Sequence, residues 1–268
     1  MPDNRIARRF AELKATGKKA FIAYLTAGDP HLDVTVDLVV AMAEKGVDII
    51  ELGIPYSDPM ADGPAIQLAC LRGLASGTTV KGVLEAVRRI RLRSQVPILF
   101  FTYLSPVMAY GIEAFARDAA AAGADGLLPL DLPPEEGPDF LAAMRASGLA
   151  TVCLAAPTTT PERKRFLASQ TEGFLYYICR LGVTGERVDL PTDLGEQVAL
   201  LKAATTAPVC IGFGISTPEQ AAAAARFGDG AIVGSHLVRL IEKHAADPHL
   251  VQLVAQRAGE LATAVHAV

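Results

Sequence analysis

Short apolar runs rich in Val, Ile and Leu alternate along this chain with Ala-rich amphipathic stretches. In order, the runs predict strands over 20–26, 47–52, 97–102, 125–130, 150–154, 173–178, 208–212 and 230–233. Apolar residues at helical spacing between them predict helices over 33–45, 79–93, 112–122, 135–147, 161–169, 194–203, 217–226 and 235–246. The junctions repeat one pattern, seen at Gly46-Val-Asp48, Gly123-Ala-Asp125 and Gly228-Asp229. Glycine ends a helix in the left-handed conformation, and the apolar run that follows enters a sheet. Val96-Pro97 and Ala207-Pro208 open strands where no ladder donor is needed. Thr160-Pro161-Glu162 and Thr217-Pro218-Glu219-Gln220 start helices with a hydroxyl cap and a first-turn proline.

Strands that read as unbroken apolar runs are covered on both faces, which is the habit of a parallel sheet wrapped in helices. About eight strand–helix units with no linker between them match a closed (β/α)8 TIM barrel, expected here as a single domain over 1–268 with short extra helices. An open doubly wound sheet is the rival. It lacks its G-x-G-x-x-G signature after the first strand, and Thr26-Ala27-Gly28-Asp29-Pro30 does not replace it.

Composition narrows the function classes. Of 268 residues, 51% are hydrophobic and 20% charged, with a net charge of -4, so no electrostatic nucleic-acid binder is expected. The dense basic stretch Arg88 to Arg93 carries no interleaved aromatics and reads as a solvated helix face. Cys70, Cys153, Cys179 and Cys210 form no C-x-x-C pair, and His31, His236, His244, His249 and His266 form no H-E-x-x-H. No metal is expected, and the C-terminal histidines read as surface helix residues. The N-terminal segment holding Arg5, Arg8, Arg9, Glu12 and Lys14 is charged and amphipathic, with no signal-type apolar core after it. The longest apolar run, Val96 to Phe101, is far short of the roughly 20 residues a membrane span needs, so a cytoplasmic protein is expected.

The candidate chemistry lies at strand ends, which in a barrel share one mouth. Glu51 ends the second strand among Ile49, Ile50 and Leu52, where apolar packing raises a carboxyl toward neutral pH and lets it both give and take a proton. The alternative is a structural acid satisfied by backbone donors. Asp62, in Pro59-Met-Ala-Asp-Gly-Pro64, is an Asx-turn residue if taken alone. As the second acid of the same unit it becomes a partner for Glu51. Asp58, before Pro59, reads as turn-forming. Three glycine-bearing loops, Gly182-Val-Thr184-Gly185, Gly212-Phe213-Gly214 and Gly234-Ser235, follow strands six, seven and eight. Close backbone N–H groups and a helix start make them a candidate phosphate site, although each glycine alone is a turn. Tyr24, Phe101 and either Tyr176 or Tyr177 are candidates for an aromatic pocket or for plain core.

The segments Leu25–Pro30, Glu51–Pro64, Gly182–Gly185 and Gly212–Gln220 resemble, in order and over nearly the whole chain, the tryptophan synthase alpha subunit family. The resemblance implies a (β/α) barrel that cleaves indole-3-glycerol phosphate to indole and glyceraldehyde 3-phosphate. It implies catalytic Glu51 and Asp62, active-site Tyr176, and Tyr24, Phe101 and Leu128 around the indole ring. Thr184 falls in a loop that closes over the site, and Gly185, Gly214, Gly234 and Ser235 fall at phosphate positions. The alpha reaction needs no cofactor. Pyridoxal phosphate is expected only in a beta partner, within an alpha2-beta2 complex that receives the indole for L-tryptophan synthesis. Pro55, Tyr56 and Asp58 are expected to face that partner. Two positions depart from the family pattern: Cys179 precedes Arg180 where Ser is common, and Tyr103-Leu-Ser105-Pro106 carries Ser105 where Asn is common. A stand-alone indole-releasing lyase is the alternative function. An inactive ligand-binding barrel is disfavoured because both acids are present.

Overall fold

The computed structural model describes residues 4–179, 192–212 and 214–268. Its strands, all parallel, are β1 (Ala20–Thr26), β2 (Ile49–Gly53), β3 (Ile98–Thr102), β4 (Gly126–Pro129), β5 (Ala150–Thr151), β6 (Cys153–Ala155), β7 (Leu175–Ile178), β8 (Val209–Gly212) and β9 (Gly230–Val233). They pair in the order β5-β4-β3-β2-β1-β9-β8-β7-β6. β5 and β6 are one pass of the chain split at Val152, so the eight predicted passes close on themselves as a barrel. The split has a local cause. Val152 N–H still bonds Leu127 O of β4 (3.0 Å), but the next amide, Cys153 N–H, is taken by Thr171 Oγ1 (3.1 Å). From there the chain pairs with β7 instead.

Period-two alternation sorts the strand residues into two cores. One residue from each pass, namely Ile22, Ile49, Leu99, Leu128, Val152, Phe174, Cys210 and Ile232, meets inside the barrel. Their neighbours Phe21, Ile50, Phe100, Leu127 and Ile211 pack outward against the helices. The charged N-terminal segment is a helix, Arg5–Ala15, capped by the Asn4 side chain. Its apolar stripe Ile6, Phe10 and Leu13 plugs the interior from below.

The repeated junction of Gly with a nearby Asp acquires its meaning in three dimensions. Asp48, Asp125 and Asp229 each exchange two bonds with a residue at the start of a neighbouring strand. Each donates its amide to the carbonyl of Phe21, Ile98 or Val209 and accepts that residue's N–H on its carboxylate, at 2.6, 2.9 and 2.9 Å. Further side chains complete each station: Arg9 and the His266 ring on Asp48, Arg5 and Arg91 on Asp125, Lys202 on Asp229. The bottom of the barrel is thus closed by a ring of anchored carboxylates.

Two readings of surface residues are corrected by these contacts. Arg91 does not share the solvated face of Arg88, Arg89 and Arg93; its side chain is only 10% exposed and serves Asp125 and the carbonyls of Gly123 and Val96. His266 is a partner of buried Asp48 rather than a free surface residue. The extra helices expected beside the counted units fall at Arg5–Ala15, Pro64–Ala75, Leu104–Tyr110 and the 17-residue Leu250–His266. The last is not a short extra helix. It packs Leu250, Val254, Ala258, Leu261 and Val265 into the outer core. No helix among the described residues is long and apolar enough to cross a membrane.

Candidate active site

Inward alternation on β2 places Ile49 in the interior layer and Glu51 above it, facing a cavity of about 180 Å³ at the C-terminal mouth of the barrel. Glu51 is 1% exposed, and its Oε1 has no hydrogen-bond partner among the described residues. A structural acid would be satisfied by backbone donors, which the orphaned oxygen does not have among the described residues. Burial pushes its carboxyl up to about 8. At neutral pH Glu51 is therefore a protonated acid poised to titrate.

Asp62 lines the same cavity and is 4% exposed. It does not spend its side chain on an Asx turn. Its Oδ2 accepts the Tyr103 hydroxyl at 2.9 Å, while its amide closes a turn onto Pro59 O. Burial raises its carboxyl to about 6, and the Tyr103 hydrogen bond pulls back against that rise. The two acids thus differ in a way useful for acid–base work: between about 6 and 8 one is ionised and the other is not.

Tyr103 is a site residue that sequence reasoning missed. Its hydroxyl donates to Asp62 and accepts Ala61 N–H at 2.9 Å, and its ring lies 5.3 Å from that of Tyr56. The only signal was its position one residue past a strand end, beside the motif that drew attention to Ser105.

The aromatic expectations resolve residue by residue. Tyr176 faces the cavity, while Tyr177 is buried in the outer core. Tyr24 meets Phe101 edge-on at 5.0 Å, and its hydroxyl bonds Thr26 Oγ1 at 3.0 Å. Burial holds both cavity phenols, Tyr24 and Tyr176, well above the ordinary tyrosine range, so they stay neutral. Glycines make room for them. A Cβ on Gly53 would fall 2.4 Å from the Tyr24 hydroxyl oxygen, and one on Gly212 2.3 Å from that of Tyr176. Gly212 was expected to hold an anion, but its missing side chain is the seat of Tyr176. Leu128 was expected to line the ring pocket. It sits one layer lower in the interior core, and Leu130 and Leu154 form the wall instead.

Across Tyr24 from the acids, on the β8 and β9 side, Gly214, Gly234 and Ser235 line the cavity. Gly214 has φ +75°, a conformation that favours glycine. Gly234 precedes the nine-residue helix Ser235–Lys243, whose positive N-terminal end meets the cavity. Thr184, Gly185 and Phe213 lie outside the described residues. Of the three residues expected to face a partner, Pro55 is buried, Tyr56 is half-buried against Tyr103, and Asp58 is exposed. His236 was read as a surface helix residue, yet it lines the cavity. All four cysteines are buried, and among the described residues no group of His, Cys, Asp or Glu is placed to hold a metal ion.

One apolar chamber therefore holds a neutral acid, a carboxylate and aromatic walls, with a backbone donor cluster at its far side. That arrangement can protonate a flat aromatic system, accept its N–H and bind a tethered anion.

Comparison with known proteins agrees with this geometry. The profile of the family described as tryptophan synthase alpha chain matches residues 10–266. The tryptophan synthase alpha chain of Geobacter sulfurreducens is 49% identical over 243 residues, covering 91% of this chain and 92% of that protein. Among solved structures, tryptophan synthase subunit alpha from Legionella pneumophila superposes with a TM-score of 0.88 at 39% identity, covering 99% of both chains. A chain of Mycobacterium tuberculosis tryptophan synthase gives 0.90 at 38% identity, covering 98% of both.

Proposed function

The chain belongs to the tryptophan synthase alpha chain family, and from that premise we propose how its own residues carry out the family's reaction. Indole-3-glycerol phosphate is cleaved to indole and glyceraldehyde 3-phosphate, a lyase reaction of retro-aldol type. Protonated Glu51 delivers its proton to indole C3. The Asp62 carboxylate accepts the indole N–H and stabilises the positive charge that develops on nitrogen. The bond from C3 to the glycerol chain then breaks, its electrons return to the ring, and the side-chain hydroxyl loses its proton to the Glu51 carboxylate, which restores the acid. The phosphate, seated on Gly214, Gly234 and Ser235, holds the reacting bond between the acids. Tyr24, Phe101, Leu130, Leu154 and Tyr176 enclose the ring and exclude water.

The observation that carries this reading is the orphaned, buried Glu51 Oε1 sharing a chamber with Asp62. The direct test mixes the purified chain with indole-3-glycerol phosphate and follows indole release. No indole, with or without a beta subunit, rejects the reading. The family implies a beta partner. Within that complex, of alpha2-beta2 composition and in the cytoplasm, pyridoxal phosphate belongs to the partner and the alpha site works without a cofactor. Exposed Asp58 and Met60, beside the Tyr56–Tyr103 pair, form the part of the loop free to meet it.

Two substitutions separate the roles. Tyr103→Phe removes the hydrogen bond that favours the Asp62 carboxylate, worth roughly 1 kcal/mol. The acid limb of kcat/KM should move up by roughly one pH unit, and an unmoved limb would assign the limb to another group. Gly214→Asp places a side chain and a negative charge at the proposed phosphate seat, on a backbone with φ +75°. KM should rise roughly a hundredfold; an unaltered constant puts the phosphate elsewhere.

A further inference from the structure

The anion end of the cavity poses an electrostatic problem. None of the described residues lining the cavity is Lys or Arg, whereas two of them are Glu51 and Asp62. A phosphoryl dianion in that chamber meets backbone dipoles and a helix N-terminus but no cation among the described residues of the wall. The charge lies one residue further out. Arg257, on the helix Leu250–His266, donates Nε–H to Nε2 of His236, the cavity residue next to Ser235, at 3.0 Å. A second nitrogen of the same guanidinium donates to Ser216 O at 2.9 Å, and a third to Glu260 at 2.8 Å. Ser216 follows Gly214 and Ile215, both on the cavity wall, and its own amide is pinned by Gln220 Oε1 at 2.9 Å.

Arg257 therefore spans the loop after β8 and the start of the helix after β9, the two segments that carry the described anion donors. An arginine is always a donor. The bond to Nε2 thus places an imidazole lone pair toward the guanidinium. The guanidinium also polarises that ring toward donating.

We propose that Arg257 is a positioning residue for the phosphoryl end of the substrate, setting the separation of the two donor loops and supplying positive potential through His236. This deepens the phosphate assignment above and rests on it. Arg257 acts through His236 and does not touch the reacting bond, so its effect belongs in binding rather than in chemistry.

The experiment uses the full chain, with inorganic phosphate as a competitor of indole-3-glycerol phosphate and indole as a phosphate-free ligand. In Arg257→Gln, KM and the inhibition constant for phosphate should both rise roughly tenfold, the loss of about one charge-assisted hydrogen bond. The kcat should stay within about twofold, and indole affinity should not move. His236→Ala should reproduce these shifts without disturbing the C-terminal helix. The double variant should add nothing to either single one, as expected of residues acting in series. Unchanged phosphate inhibition in both single variants overturns the proposal, as does an indole affinity that weakens in step with it. Phosphate that fails to compete in the unaltered chain overturns the phosphate seat itself, a failure distinct from that of the relay.

Discussion

Glu51→Gln abolishes indole release, with kcat falling by at least roughly a thousandfold, because no other group in the chamber combines its position with a proton available at neutral pH. Glutamine fills the same volume, so the chamber keeps its shape and binds substrate with near-normal affinity. The unaltered protein should give a bell-shaped kcat/KM, rising through about 6 as Asp62 ionises and falling through about 8 as Glu51 does. These limbs belong to the pair rather than to isolated residues. Stability carries the same signature with a definite sign. The Glu51 carboxyl is raised from 4.5 to about 8 by burial, so between those values the folded chain keeps a proton that the unfolded chain has released. Stability is thus full below the unfolded value and is lost as pH rises through the folded one. Glutamine removes that slope. Glu51→Gln should match the parent in urea denaturation near pH 4 and exceed it by about 2–4 kcal/mol near pH 9. Equal midpoints at both pH values, or unchanged turnover, would falsify the role assigned to Glu51.

At the opposite end of the barrel, Asp125→Ala should cost about 3–5 kcal/mol of stability while leaving KM unchanged. Asp125 is 2% exposed, and its two oxygens serve Arg5, Arg91 and the amide of Ile98. Alanine strands the Arg91 guanidinium in the protein and opens the first amide of β3. Replacing both partners, Arg91→Met with Asp125→Leu, removes the stranded charge and should recover part of the loss. A loss under about 1 kcal/mol for Asp125→Ala would show that water reaches this station and that the carboxylate ring is not what closes the barrel.

The contrast between these two acids shows where sequence reading reaches and where it stops. Glu51 is legible because an ionisable group within an apolar strand is costly anywhere, and period-two alternation alone points it inward. The repeat of Gly with a nearby Asp is equally visible, but its purpose is not. Each aspartate works on a strand that is distant in sequence, and its side-chain partners come from the chain termini and from other helices. Tyr103 stayed hidden for the same reason, since its hydroxyl acts 41 residues away, on Asp62.

By itself the sequence determined the strand passes, most of the helices, the barrel class and the candidate pair of acids, since each follows from local periodicity or from the cost of burying one side chain. Only the tertiary structure decided which layer of the barrel each side chain occupies. It sent Leu128 below the chamber and Leu130 to its wall, made Gly212 a seat for Tyr176, and linked Arg257 to His236. Those outcomes depend on strand stagger and on contacts between distant segments, and no pattern along a single stretch of chain encodes the distance between two of them.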